Sequence, residues 1–480
     1  MVSLPSVPQN LDEFEAVLRE TSGSDQAPSV AYGISRRGET VISGAFGFAD
    51  RERTVLATIR TPYQLASITK PLTATVLAIL AERGVVHLDE PINSQLSGIK
   101  IQSRTGNADQ VTVRQVADHS SGLPTHYQFY YGDEPSVRPS VETQLRRFAK
   151  TFTSPGERHV YSNLGYGLLE FLLEQVSGLS LAELMKGELF DPLGMVDASL
   201  GNRDSREVAV SYGPDGVPYP PYDFDHRGGS AAFASVADLL AFGEAHLGFG
   251  PSILSPGGLA DAHRATSYSE TQAVYGLGWG IRADRHGYRS ISHTGYMGGV
   301  STAIRLIPEL DLTIVILTNG QSDLPMMFTD YAVSALSQEY RNKLVPSLLT
   351  PATPLPMNPV PERLFGTWSG SVETESGHRL LELEITSSNT AIVHCHGTVQ
   401  DVQELHWRSG RIFGMFDADL EASEILKSPY RIHLDLSERS DSLSGVALTM
   451  TTLLDGPGGA PGKRFGNALG FWTELKRPNL

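Results

Sequence analysis

Apolar positions along the chain change period twice, and each period predicts a different architecture. The stretch "LDEFEAVLRE" reads as a short acidic amphipathic helix. From Pro28, "PSVAYGISRRGETVISGAFGFADRE" places two β-rich runs around the polar turn "RRGE", a hairpin signal. "YQLASITKPLTATVLAILAERG", residues 63–84, predicts an apolar helix with Ser67 or a neighbour as its cap, Pro71 in the first turn and Gly84 just past its end. Between about residue 85 and residue 260 the 3.6-residue period dominates, in "LRRFAKTF", "LGYGLLEFLLEQVSG", "LAELMKGELFDPLGM" and "SVADLLAFGEAHLG". Polar or Gly/Pro-rich loops such as "SRTGNADQ" and "GPDGVPYPPYDFDHRGGS" separate these helices.

The period then shortens. "VYGLGWGIRAD", "YRSISHTGY", "GVSTAIRLIPE" and "LTIVILTNG" read as strands, closed by one helix over "PMMFTDYAVSALSQEYRN". Strands at both ends with helices between predict one sheet assembled from distant segments, in an α/β (α+β) layered domain spanning residues 1–350. A Pro-rich linker is expected at 351–360. From 361 to 480 the runs "RLLELEI", "NTAIVHCHG", "RIFGMFD", "YRIHLDLS" and "GVALTMTTLL" predict an antiparallel barrel or sandwich.

Composition narrows the function. A chain of 480 residues with 40% hydrophobic and 19% charged residues can bury a large core, and a net charge of -16 leaves no basic footprint for nucleic acid or anionic lipid. The single cysteine, Cys395, excludes an internal disulfide framework. No apolar run reaches the length of about eighteen residues that a membrane span needs. The first twenty residues lack a basic n-region and an apolar h-region, so a cytoplasmic location is expected.

Two Ser-x-x-Lys pairs occur, Ser67 with Lys70 and Ser97 with Lys100, and chance alone supplies about one in a chain of this size. Context separates them. Residues i and i+3 share a face only inside a helix, and Ser97 lies in the polar loop "SGIKIQSRTG", whereas Ser67 opens the apolar helix. A helix N-terminus favours a developing oxyanion, and a desolvated lysine can act as base to the hydroxyl. The competing reading is a cap followed by a snorkelling surface lysine. Two further pieces join the pair: Tyr161 and Asn163 before a helix, and His293, Thr294 and Gly295 at the start of a strand. Each has decoys, since Tyr340 and Asn342 on a predicted surface helix, His226 with Gly228, and His246 with Gly248 repeat the spacings.

The ordered set Ser67-x-x-Lys70, Tyr161-x-Asn163, His293-Thr294-Gly295 resembles the penicillin-recognising serine hydrolases: class C β-lactamases, DD-peptidases, D-aminopeptidases and their esterase relatives. The intervals of 94 residues from Ser67 to Tyr161 and 132 from Tyr161 to His293 fit the class C-like branch. "HSSGLP" from His119, "LFDPLGM" from Leu189, "GGSAAFASVADLLAFG" from Gly228 and "YGLGWG" from Tyr275 are similar to recurrent segments of that family, over roughly residues 10 to 340.

The resemblance implies an acyl-enzyme on Ser67, with Lys70 and Tyr161 sharing its proton and Tyr161 relaying it to the leaving group. It implies that the Lys70 and His293 cations lower the Tyr161 phenol, that Asn163 holds the lysine and a substrate amide, and that the N–H groups of Ser67 and Tyr296 form the oxyanion hole. Relatives that hydrolyse penicillin carry lysine where this chain has His293, so weak or absent β-lactamase activity is implied. Histidine there resembles the D-aminopeptidases, the esterases and the acyl-transferring or peptide-cyclising members. An ester, amide or short-peptide substrate is therefore expected, with acyl transfer or a non-catalytic binding role as alternatives and a homo-oligomer left open. The tail is similar to a lipocalin-like barrel with "GTWSG" and "GFWTELKR" as first and last strands, able to cap the cleft, shape the acyl pocket or pair subunits.

No cofactor or metal is expected. His394 and His396, flanking Cys395, share a strand face and with His406 could hold zinc, but polar barrel faces often carry histidine. "GPGGAPGKR" lacks the spacing of a phosphate loop and reads as a hairpin loop. The aromatics Tyr127, Phe129, Tyr130 and Tyr131, with the loop at 214–230, point to an apolar or aromatic acyl group.

Overall fold

The computed structural model describes residues 6–24, 27–201, 208–268, 273–350, 357–426, 430–451, 453–455 and 463–478. Residues 351–356 of the expected linker and Gly462 of the glycine-rich loop lie outside them, while Lys463 opens the strand Lys463–Phe465.

The N-terminal hairpin, Ser29–Arg36 and Glu39–Asp50, joins the strands of residues 267–318 in one nine-stranded antiparallel sheet. The seam is the pairing of Ser29–Arg36 with Leu312–Thr318, in register from Val30 opposite Thr318 to Arg36 opposite Leu312. Alternation explains why both strands are apolar throughout. Val30, Tyr32, Ile34, Ile314 and Ile316 pack on one face with the helices Leu11–Thr21, Leu324–Leu336 and Gln338–Leu349. Ala31, Val315 and Leu317 face the larger core on the other side, with the helix Val236–His246. A strand covered on both faces reads as a continuous hydrophobic run, as "LTIVILT" does.

The single helix expected after these strands is two helices. Ser337 leaves helical geometry at φ -133° and ψ 112°, and its hydroxyl caps the second helix by accepting from the Tyr340 N–H. A serine offering its own hydrogen bond competes with helix continuation and starts a new one.

The tail contributes nine of the ten strands of an antiparallel sheet that curls into a nearly closed barrel. Its first strand, Gly366–Thr374, pairs with its last, Ala468–Lys476, with Ser369 opposite Lys476. Alternate residues such as Leu381, Leu383, Ile385 and Val393 point inward. A short strand from the helical region, His126–Tyr127, pairs with the last barrel strand, His126 opposite Leu469. Ion pairs of Glu373 with Arg104 and Lys150, and of Arg158 with Asp435, tie the same two regions. Among the described residues, no helix is long and apolar enough to cross a membrane.

Candidate active site

Ser67 sits in a 3-10 turn, Ala66–Ile68, that leads into the helix Thr69–Glu82. No side chain caps that helix, so the expected capping role of Ser67 or a neighbour is not realised. Ala66 adopts φ +48°, in the left-handed region, which costs a residue with a Cβ about 1–3 kcal/mol. The surroundings enforce it. The Leu65 N–H donates to the Ala232 carbonyl at 2.8 Å, and the Leu65 carbonyl accepts from Thr302 Oγ1 at 2.9 Å. Thr69 Oγ1 donates to the Ala66 carbonyl at 2.7 Å and accepts from the Ala232 N–H at 3.0 Å. At the far end Gly84, at φ +71°, ends the helix as expected, with the N–H groups of Gly84 and Val85 closing on the Ala81 and Leu80 carbonyls.

Every residue from Thr69 to Leu80 is buried, and Lys70 is fully so, which removes the snorkelling reading. Its ammonium nitrogen has three oxygen neighbours: Ser67 Oγ at 3.1 Å, Asn163 Oδ1 at 2.6 Å and the Gly229 carbonyl at 2.9 Å. It also stands 4.8 Å from the centre of the Tyr161 ring and 5.3 Å from that of Tyr166. No carboxylate is among these partners, and burial holds the Lys70 amine well below the ordinary lysine range. A neutral amine has two hydrogens and one lone pair. Asn163 Oδ1 and the Gly229 carbonyl only accept, so they take both hydrogens and leave the lone pair facing the Ser67 hydroxyl.

Burial pushes the Tyr161 phenol up rather than down, with the neighbouring Ser67 side chain only partly opposing. This overturns the expectation that the Lys70 and His293 cations lower it. His293 is no cation either: burial, and secondarily the nearby Lys70, push it down to about 3. Its hydrogen bonds fix the tautomer. The Thr294 carbonyl, 2.7 Å from Nδ1, can only accept, so Nδ1 carries the proton and Nε2 accepts from the Tyr275 hydroxyl at 2.6 Å. Burial therefore disfavours the charged forms of both Tyr161 and Lys70.

Asn163 opens the helix Asn163–Ser177, capped by Ser162, whose hydroxyl accepts from the Gly165 N–H. Gly295 lies where the strand Tyr288–Met297 crosses the Ser67 turn. A Cβ there would stand 2.0 Å from the Leu65 carbonyl oxygen and 2.3 Å from Thr302 Oγ1, so only glycine lets the two backbones approach. Tyr296 follows on the same strand, its side chain half exposed and its hydroxyl accepting from Gln321 Nε2 at 3.0 Å. Tyr161, Tyr275, His293, Thr294, Arg282 and Met326 line a cleft of about 250 Å3, and Thr294, Gly295 and Tyr296 continue into a second of about 300 Å3.

The fold thus brings Ser67, Lys70, Tyr161 and Asn163 into contact and sets His293, Thr294, Gly295 and Tyr296 along the adjoining strand. The decoys go elsewhere. Ser97 and Lys100 are exposed in a loop, with Ser97 bonded to Gln175. Tyr340 is buried rather than on a surface, bonded to Asp330 and Arg305. Phe129 and Tyr131 are buried in an aromatic cluster with Ala66 and Met297, so they back the site as core. In the barrel His396 pairs with Glu421 and His406 stacks on Phe413, and the described residues that gather as potential metal ligands do not include them.

Four contributors carried no assigned role in the sequence: Gly229 through its carbonyl, Tyr275, Tyr166 and His119. The His119 ring lies 4.3 Å from that of Tyr161, and its Nδ1 accepts from the Ser162 N–H at 3.1 Å. Three of them lie in or beside "HSSGLP", "GGSAAFAS" and "YGLGWG", phrases whose polar or glycine-rich character inside apolar surroundings is the signal that was available.

A strained serine turn, a buried lysine amine beside it and a strand edge built from distant segments make up the site. The chain belongs to the Beta-lactamase family, whose model matches residues 14–339. It is 24% identical over 339 residues to penicillin-binding protein 4* of Bacillus subtilis (strain 168), covering 66% of this chain and 73% of that protein. It is 25% identical over 329 residues to the unguisins hydrolase ungD' of Aspergillus campestris (strain IBT 28561), covering 64% of this chain and 61% of that one. An octameric penicillin-binding protein homologue from Pyrococcus abyssi superposes with a TM-score of 0.61 at 21% identity, over 97% of this chain and all (100%) of the other. EstCE1, a hydrolase with promiscuous acyltransferase activity, matches at 0.59 and 20%, over 68% and 98%. The D-amino acid amidase of Ochrobactrum anthropi SV3 matches at 0.56 and 19%, over 69% and 99%. At these identities the three solved structures speak to the fold alone.

Proposed function

We propose that the protein is a serine hydrolase that opens a small ester or amide, a D-amino-acid amide or short peptide among them, through an acyl-enzyme on Ser67. The neutral Lys70 amine takes the Ser67 proton while Oγ attacks the carbonyl carbon. The N–H groups of Ser67 and Tyr296 stabilise the oxyanion. Tyr161, a phenol beside Ser67, hands its proton to the leaving group and is reprotonated from Lys70, and water repeats the sequence in deacylation. The observation that carries this reading is the Lys70 amine, fully buried, without a carboxylate partner and 3.1 Å from Ser67 Oγ. The activities of the fungal hydrolase, EstCE1 and the amidase support the substrate class. A neutral His293, its lone pair engaged by Tyr275, gives a substrate carboxylate no fixed charge at that position, which supports weak β-lactamase activity.

Acyl transfer to an amine or alcohol is the second reading, favoured by the promiscuous acyltransferase activity of EstCE1. The octameric state of the archaeal homologue supports a homo-oligomer. A fluorophosphonate probe followed by intact-mass analysis tests the acyl-enzyme. One adduct on wild type, absent from Ser67→Ala, is expected, together with turnover across p-nitrophenyl esters and D- and L-amino-acid amides and little on nitrocefin. Labelling that survives Ser67→Ala overturns it, as does tight ligand binding with no turnover on the panel. A competing amine captured in the product shifts the assignment to transfer.

A further inference from the structure

We propose that His126, Asp225 and His226 bind one divalent transition-metal ion of the zinc type, at a buried site that braces the turn holding Lys70. All three side chains are fully buried, and one ligand atom from each lies within 4.8 Å of the others. His126 Nε2 stands 3.4 Å and His226 Nε2 3.3 Å from the same carboxylate oxygen, Asp225 Oδ2. Yet both nitrogens of both rings and both oxygens of Asp225 lack any hydrogen-bond partner. Buried polar atoms are nearly always paired, so three unpaired ligand atoms converging here, His126 Nε2, His226 Nε2 and Asp225 Oδ2, call for a missing partner.

The spacing identifies its kind. Zinc binds imidazole nitrogen and carboxylate oxygen at about 2.0–2.2 Å, which in a tetrahedron separates neighbouring ligand atoms by about 3.3–3.6 Å. Both distances to Asp225 Oδ2 fall in that range. Two imidazoles and one carboxylate suit zinc and its neighbours, whereas calcium and magnesium require shells of oxygen. The His226 ring is clamped in the required orientation. A Cβ on Gly167, in the helix Asn163–Ser177, would come within 2.4 Å of His226 Nδ1, so the helix backbone packs that edge and leaves Nε2 turned toward Asp225.

The ion would join pieces that meet nowhere in sequence. His126 lies on the short strand paired with the last barrel strand. Asp225 and His226 link the strand Tyr222–Phe224 to the turn Arg227–Ser230. In that turn the Gly229 N–H donates to the His226 carbonyl at 2.9 Å, and the Gly228 and Gly229 carbonyls accept from Thr73 Oγ1 at 2.6 Å and Lys70 Nζ at 2.9 Å. Metal binding therefore ties barrel docking to the position of the lysine.

The test is metal content, which does not depend on activity. Full-length protein, untagged and purified from zinc-supplemented cells, should retain close to one zinc per chain after dialysis by elemental analysis. Wild type unfolded with chelator and refolded with cobalt(II) should show the visible d–d bands of a four- or five-coordinate ion. Asp225→Asn and the double variant His126→Asn, His226→Asn should lose the metal at least tenfold. Chelator should lower the melting temperature of wild type and leave that of Asp225→Asn unchanged. Folded wild type holding less than about a tenth of an equivalent, cobalt-refolded wild type without those bands, or full zinc retention by the double variant overturns the site in favour of a metal-free His–Asp–His cluster. Because the cobalt spectrum is read on wild type, a variant that fails to fold leaves the decision intact.

Discussion

Residues 67–70 and 97–100 carry the same Ser-x-x-Lys spacing and arrive in opposite environments. Lys70 is sealed from water and held by Ser67, Asn163 and Gly229, whereas Ser97 and Lys100 stay exposed in a loop that offers their chemistry no helix face. Burial without an opposing carboxylate destabilises the charged form and holds the Lys70 amine well below the ordinary lysine range. Spacing places two groups on one face, but desolvation decides whether they react.

The largest expected effects break the comparison outright. Ser67→Ala should lower turnover by about 10^4-fold or more and Lys70→Ala by about 10^3-fold, while Ser97→Ala and Lys100→Ala stay near wild type. Comparable losses in both pairs, measured as kcat/KM, would erase the distinction. Next comes the strand that backs only the first serine. Gly295→Ala forces a Cβ against the Leu65 carbonyl and should cost about 1–3 kcal/mol of stability in urea unfolding, with activity falling further than that loss of folded protein explains.

The pH profile sharpens the comparison. If the reactive form is neutral Lys70, kcat/KM rises with pH as the amine loses its proton, and the depressed value brings that limb down toward neutrality. Asn163→Asp sets a carboxylate where Oδ1 now lies 2.6 Å from Nζ, restabilises the ammonium and should move the limb up by about one unit or more. A limb that stays put assigns it to another group. The smallest effect is expected from Tyr275→Phe, which removes one hydrogen bond to His293 Nε2 and should lower kcat/KM about three- to tenfold, a single-bond loss.

Much of the frame was legible in the chain. The helix after Ser67, its end at Gly84, the sheet shared by both ends of the first region and the strands of the tail follow from local periodicity and turn chemistry, because those signals act between near neighbours. The Ser337 break was missed because a serine inside an apolar helical pattern is ambiguous until its hydroxyl is seen to cap. The protonation states were misjudged for a different reason. Tyr161 and His293 were assigned on the charges expected nearby, whereas the dominant influence on both is removal from water.

By itself the sequence determined which segments become strands or helices and which three short motifs could supply a hydroxyl, an amine and a phenol. Tertiary structure alone decided that burial holds the Lys70 amine well below its ordinary range, that the Gly229 carbonyl and Asn163 Oδ1 accept from it, and that the Thr294 carbonyl sets the His293 tautomer. It also decided that His126 meets Asp225 and His226 across 98 intervening positions, residues 127–224, in a place closed to solvent. Desolvation and hydrogen-bond direction belong to the assembled surroundings of a group, and no local pattern of residues encodes them.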